Sequence, residues 1–438
     1  MQQNIADSTE FTPQKWANSA GEQQLKKARQ VDWLAEFKDE RLSSLVVTAL
    51  NNNLDLAIAA ANVEQATAAA TQAGAQLKPQ VNLAFANART GNVESSASQS
   101  SSQSVSLQIG WEADLWGRIR SGQRAAVASA QAAAADYQYA QQSMAAATAR
   151  AYFIAVEAGQ QVAILTDILD ALENTARIVN VQYKNGLASA QDVSLTNSDL
   201  ASTREQLITL KASRREALRA LEVLLGQYPS GDLSVSAKLP SLPAMPPAGV
   251  PAEVLERRPD LIASERRVAA AFNALQQAKA AKLPQLSLTS NIGGSSTALS
   301  EITDPSNVAW QLASNLLAPL FDGGARQAAV DSANAAQKQA VASYAQSALA
   351  AFSDVETNLD LATTLTARER ELSFALKEAT KAYRIASLNH KEGEIGLLDL
   401  LAVQQRVLSA NSSLVSVKRL QLEQRVNLYL ALGGDWAI

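Results

Sequence analysis

The chain has 438 residues, enough for two or three ordinary domains, and 47% of them are hydrophobic, a normal globular share. Only 5% are aromatic and alanine supplies much of the apolar content, which suits close-packed helices better than a thick sandwich core. A formal charge of −4 without a basic stripe argues against nucleic acid as a partner, and the absence of cysteine excludes disulfides, thiolate metal sites and thiol catalysis.

No apolar run reaches the roughly 18 to 20 residues of a spanning helix, so any membrane crossing has to be built from strands. The start, Met1-Gln2-Gln3-Asn4, lacks the basic region and apolar stretch of a signal peptide, so export is not expected of the chain as written.

Internal duplication organises the rest. Asn53-Leu54-Asp55-Leu56 recurs as Arg258-Pro259-Asp260-Leu261, and Pro79-Gln80 recurs as Pro284-Gln285, both at an offset of 205 (260 − 55, 284 − 79). Further on the offset is 207: Gly186 and Asp192 match Gly393 and Asp399 (393 − 186, 399 − 192), which requires a small insertion between the blocks. The expected organisation is an N-terminal belt segment 1–41, a first repeat 42–228, a proline-rich linker 229–250, a second repeat 251–434 and a short end 435–438.

Within the first repeat, Val81, Leu83 and Phe85 alternate with smaller or polar residues, and so do Val105, Leu107, Ile109 and Trp111, which predicts a β-hairpin over about 80–112. The polar loop through Ser95–Ser102 has no reason to pack. From Arg118 to Asn185 there is no proline, and the composition predicts one helical rod of roughly 100 Å. Gly122 and Gly159 cost about 1 kcal/mol each relative to alanine, too little to break so long a helix. A second helix is expected from Ala190 to Leu225, so the tip of the helical hairpin falls near Gly186.

The second repeat predicts the same parts: a β-hairpin over about 284–317 and a helical hairpin with its tip near Gly393. After that tip, Leu400/Leu401, Val407/Leu408, Leu414/Val415 and Leu428/Tyr429 recur every seven residues, with Gln421/Leu422 half-breaking a coiled-coil seam. Four strands cannot close a barrel alone, and lipid tolerates no open sheet edge, so insertion demands several copies of the chain. On strands and seam alone, a small soluble sheet and a solvated bundle remain open as alternatives.

The chain resembles the TolC-like outer-membrane efflux factor family from about Asp32 to Gly434. The resemblance is carried by Trp33 to Phe37, Trp111-Glu112-Ala113-Asp114-Leu115-Trp116-Gly117-Arg118, Val254 to Leu261, Leu283-Pro284-Gln285-Leu286 and Pro319-Leu320-Phe321-Asp322-Gly323-Gly324. It implies a mainly α fold with a small β part: a homotrimer with a twelve-stranded β-barrel in the outer membrane and an α-helical barrel reaching into the periplasm. The closest motifs are those of the branch serving resistance-nodulation-division pumps for drugs or metal ions. That branch usually starts with a lipid-modified cysteine, absent here, which leaves native lipidation open. Implied partners are a periplasmic adaptor (membrane fusion) protein, an inner-membrane pump and outer-membrane lipid.

By the same resemblance the hairpin tips are a pore gate and an adaptor surface, with Tyr183, Gly186, Leu187, Gly393 and Glu394 facing the adaptor. Asp192 and Asp399 each follow a tip glycine by six residues, where a carboxylate can sit at the positive end of the next helix. The resemblance implies instead that Asp399 projects into the pore as a ring of three carboxylates that attracts cations. The only histidine, His390, stands where Tyr183 stands in the first repeat. It is expected either to be solvated or to latch onto Asp192, in which case acid tightens the gate. The family's further latch residues are missing, since Ile395 and Ala402 occupy those positions. Trp111 is the candidate for a lipid interface, whereas Trp116 is expected to pack in the strand-to-helix junction.

With one histidine, no cysteine, no phosphate-cradling glycine loop and no metal-ligand cluster, neither an enzyme nor a bound cofactor is expected. A duct for protein secretion and a structural coiled-coil protein are the competing functions.

Overall fold

The computed structural model describes residues 16–17, 33–91, 100–249 and 251–433. Most of segment 1–41, the loop residues 95–99 and the end 435–438, on which expectations were placed above, lie outside the described residues. The elements in order are α1 (Trp33–Glu36), α2 (Glu40–Asn52), α3 (Leu54–Ala75), β1 (Gln80–Thr90), β2 (Ser100–Ala113), α4 (Arg118–Lys184), α5 (Ala190–Leu224), α6 (Pro251–Arg257), α7 (Pro259–Ala280), β3 (Gln285–Ser296), β4 (Val308–Leu317), α8 (Ala325–Lys391) and α9 (Leu397–Ala431).

The long helices matched by the two offsets are equal in length. α3 and α7 both have 22 residues, α4 and α8 both 67, α5 and α9 both 35. Even the strand register obeys the two offsets. Gln80 pairs with Gly110 and Gln285 pairs with Leu317, differences of 205 (285 − 80) and 207 (317 − 110). The two-residue insertion therefore lies in the loop of the second hairpin, which holds two short 3-10 turns at Leu299–Glu301 and Pro305–Asn307.

The chain forms two compact units. The first comprises Met1–Ile58, Tyr137–Pro259 and Ala348–Ile438 and contains the main core. There Trp33, Phe37, Leu42, Val46, Tyr152, Phe153, Val156, Leu221, Leu225, Leu422, Val426 and Tyr429 form one buried cluster. Truncating one of the buried leucines would cost about 2–5 kcal/mol. The buried Tyr152 hydroxyl donates to Asp39 at 2.7 Å and meets the Ser236 hydroxyl at 2.7 Å, and burial pushes its pKa up to about 12.

The seven-residue seam on α9 is largely buried, at Leu400, Leu414, Gln421 and Leu428. Gln421, which looked like a break, sits in the seam because its amide donates across to Glu369 on α8 at 2.9 Å. A buried amide costs little once it is paired.

A buried carboxylate ties down irregular chain in this unit. Glu222 accepts from the Ser230 hydroxyl at 2.9 Å and from the N–H groups of Gly231, Asp232 and Leu233 at 2.7, 3.2 and 3.2 Å, which fixes the start of the linker. Burial by itself raises the Glu222 pKa, but these four donors outweigh it and hold the carboxyl below its ordinary value. At the matching position of the second repeat, 207 residues on (429 − 222), the Tyr429 hydroxyl donates to Glu36.

The second unit comprises Ala59–Asp136 and Asp260–Ser347 and contains the sheet, antiparallel in the order β1-β2-β3-β4. Its helices approach closely where side chains are small. A Cβ at Gly122 of α4 would meet the Gln277 side chain of α7 at 2.8 Å, so the glycine expected merely to be tolerated is where α7 leans in.

Candidate functional site

Two features are candidates for function, one in each unit. In the second unit, antiparallel register places paired residues on the same face of the sheet. Leu83 opposes Leu107, Leu107 opposes Ile292 and Ile292 opposes Trp310. Two residues along, Val81, Ile109, Ser290 and Leu312 form the next row. The other face reads Asn82, Gln108, Asn291 and Gln311, then Ala84, Ser106, Gly293 and Ala309.

One face is therefore rich in large apolar side chains and the other is polar or small. The apolar face is not covered, with Leu83 76% and Trp310 77% exposed. Strands of 10 to 14 residues are long enough to cross a hydrocarbon layer when tilted. No single described helix is long and apolar enough to do so.

Trp111 lies on the apolar face near the end of β2, and its indole N–H donates to the Leu77 carbonyl at 2.9 Å. Trp116 corrects an expectation. Its N–H does hold the junction by donating to Pro284 O at 2.7 Å, but the ring stays 53% exposed rather than packed in a core.

In the first unit the two tips share one backbone solution. Gly186 and Gly393 have φ of +74° and +79°, the left-handed conformation that a helix C-terminus needs for a tight reversal. The bond Leu187 N–H to Gln182 O, 2.8 Å, is repeated as Glu394 N–H to Asn389 O, 2.8 Å. Tyr183, Leu187 and Glu394 are exposed on these turns.

The side chains then part company. Asp192 is the third residue of α5 and closes a capping box: it accepts from the Ser189 N–H at 2.9 Å and hydroxyl at 2.7 Å, while its own N–H donates to Ser189 Oγ at 3.1 Å. The Ser189 hydroxyl and N–H hold the Asp192 carboxyl below its ordinary value. At the matching position of the second tip stands Gly396, which has no side chain to offer. Asp399 is consequently exposed and has no hydrogen-bond or ion-pair partner among the described residues.

The expected latch between His390 and Asp192 is not made in the chain. His390 Nδ1 bonds the Ile395 carbonyl at 3.2 Å within its own turn, and its buried Nε2 meets no partner. Asp192 is already spent on Ser189. The resemblance assigns Asp399 to a pore ring and Asp192 to a latch; the glycine at 396, where the offset of 207 carries Ser189, is the sequence signal that the first aspartate is capped and the second is not.

Comparison with known proteins agrees with this architecture. The family described as Outer membrane efflux protein matches residues 45–227 and again 250–434, once per repeat. The pyoverdine export outer membrane protein OpmQ of Pseudomonas aeruginosa is 31% identical, over 98% of this chain and 92% of its own. The cation efflux system protein CusC of Escherichia coli is 27% identical, over 92% of this chain and 88% of its own. The solved structure of the outer-membrane channel OprN superposes with a TM-score of 0.88 at 27% identity, covering 97% of both chains. A chain with this repeat, this two-faced sheet and these matches along both halves belongs to the outer membrane efflux protein family, and it is an outer-membrane channel component, not an enzyme.

Proposed function

We propose that three copies of the chain close their sheets into one twelve-stranded barrel in the outer membrane, lined by the polar face. The observation that carries this reading is a sheet with one apolar face, one polar face and two unpaired edges. An isolated edge of this kind is costly in lipid, and only closure removes it.

Exposure supports closure by copies of the chain itself. Within the second unit, the outer helices α3 and α8 have no buried residue, whereas the inner α4 buries Ile119, Ala128, Ala132 and Ala135. Two copies would give eight strands, an interior that side chains fill; a face of Ala84, Ala86, Ser104, Ser106 and Gly293 suits a wider, water-filled lumen.

The duplication also predicts the closing register. Carried across by 207 and 205 residues, the Gln108–Asn291 pair within the chain becomes Asn315 of one copy opposite Ala86 of the partner subunit. The cysteine-free background makes this testable, since an A86C/N315C variant should crosslink into a covalent trimer on oxidation while A84C/N315C and A88C/N315C should not.

In the same reading the tips form the periplasmic mouth, where a ring of three Asp399 carboxylates favours cations and Tyr183, Leu187 and Glu394 meet a periplasmic adaptor. The energy for transport comes from an inner-membrane pump of the resistance-nodulation-division type. Related channels are named for cargoes as different as pyoverdine and cations, which fits a duct that leaves selection to its pump. The cargo of this chain is accordingly placed among small molecules or metal ions.

Planar-bilayer conductance with the mass determined in parallel tests the core of this reading. Small, cation-selective steps from a trimer are expected; a monomer or dimer that never inserts would overturn it.

A further inference from the structure

Where β2 gives way to α4, the start of α4 and the end of α7 enclose a groove of about 650 Å³ within the second unit. Arg120, Arg124 and Lys279 line it together with Leu115, Trp116 and Leu283, and no carboxylate does. The three apolar side chains are 55%, 53% and 40% exposed. Arg120 is engaged by Asp114 at 3.2 Å, but neither Arg124 nor Lys279 has an ion-pair or hydrogen-bond partner among the described residues.

The side on which the groove opens follows from the helix. Glu112 belongs to the polar face of the sheet, and Arg118 at the start of α4 reaches it at 2.7 Å. At 3.6 residues per turn, Arg120 and Arg124 lie roughly 160° and 120° around α4 from Arg118. Arg120 and Arg124 therefore point away from the Arg118 side of α4 that meets the polar face, beside the exposed Trp116, and Lys279 of α7 lines the same groove.

We propose that this groove holds the headgroup of an anionic glycerophospholipid, its phosphate between Arg124 and Lys279 and its acyl chains along the apolar face past Trp111 and Leu288, the residue paired with it on β3. Charge-assisted bonds from two otherwise unpaired cations recognise the phosphate, and the Trp116 ring takes the depth that indoles favour at a headgroup boundary. The proposal rests on the reading that the apolar face meets lipid.

The test is native mass spectrometry of the full-length protein in neutral detergent, titrated with phosphatidylglycerol or phosphatidylcholine. Phosphatidylglycerol should be retained by the unaltered protein and by R124K/K279R, and held about 30-fold more weakly by R124A/K279A. Phosphatidylcholine should bind weakly to all three. Equal retention of phosphatidylglycerol by R124A/K279A, or of phosphatidylcholine by the unaltered protein, overturns the proposal. So does displacement of the lipid by equimolar inorganic phosphate, which would make the groove a site for free phosphate. Failure to retain lipid with normal insertion into bilayers strikes the groove alone, whereas a protein that never inserts strikes the membrane reading.

Discussion

The two helical tips were built by one duplicated sequence, yet they do different things with it. Both reverse the chain on a glycine at positive φ, and both close with the same 2.8 Å backbone bond. In the first tip Ser189 binds Asp192 into a capping box, while in the second Gly396 leaves Asp399 exposed. Backbone geometry survives duplication because glycine and helix phase fix it. Both carboxylates stay ionised, and a single neighbouring side chain decides whether the charge is held at the helix end or left unpartnered among the described residues.

The sharpest way to break this comparison is to remove each carboxylate in turn. Asp399→Ala should lower the cation-over-anion permeability ratio on the order of threefold in planar bilayers, and Asp192→Ala should leave that ratio nearly unchanged. Equal losses from the two variants would mean that both aspartates face the pore and that the cap does not distinguish them.

Exchanging the caps should produce a smaller, reciprocal effect. Gly396→Ser gives Asp399 a hydroxyl that would hold its still-ionised carboxylate against the helix end rather than in the lumen, and should remove part of the cation preference, roughly half of the Asp399→Ala effect, while Ser189→Gly releases the Asp192 carboxylate from its helix end and should add to it. Reversal potentials that move in the same direction for both substitutions would contradict the assignment.

The comparison extends to the other ends of the same hairpins, where Glu222 and Tyr429 occupy one repeat position, Glu222 holding the start of the linker and Tyr429 holding Glu36 of α1. Because the Glu222 pKa is lower in the fold than in the unfolded chain, its stabilisation is present above the unfolded value and is lost as pH falls through the folded one. Acid should therefore loosen the linker around Ser230–Leu233, read by hydrogen exchange. Glu222→Gln should cost about 1–2 kcal/mol at neutral pH and flatten that acid response. A linker equally protected at neutral and acid pH would remove the role given to Glu222.

Tyr429→Phe should have the least effect, about 1 kcal/mol in thermal unfolding, because the ring stays buried and only the bond to Glu36 is lost. A cost as large as that of Glu222→Gln would show that the hydroxyl, not the ring, holds α1 in place.

Much of this protein is decided by sequence alone. Proline placement marks the 67-residue helices and the linker, period-two alternation marks four strands, and the offsets of 205 and 207 fix both the repeat and its strand register. These are local or periodic properties, which a chain expresses wherever it folds.

What only the tertiary structure decided is partnership. Whether Trp116 is buried or exposed and which cations share a groove depend on groups brought together from 155 (279 − 124) to 168 residues apart. Such pairings have no period to betray them. Arg124 and Lys279 look like two ordinary surface charges until α4 and α7 are set side by side.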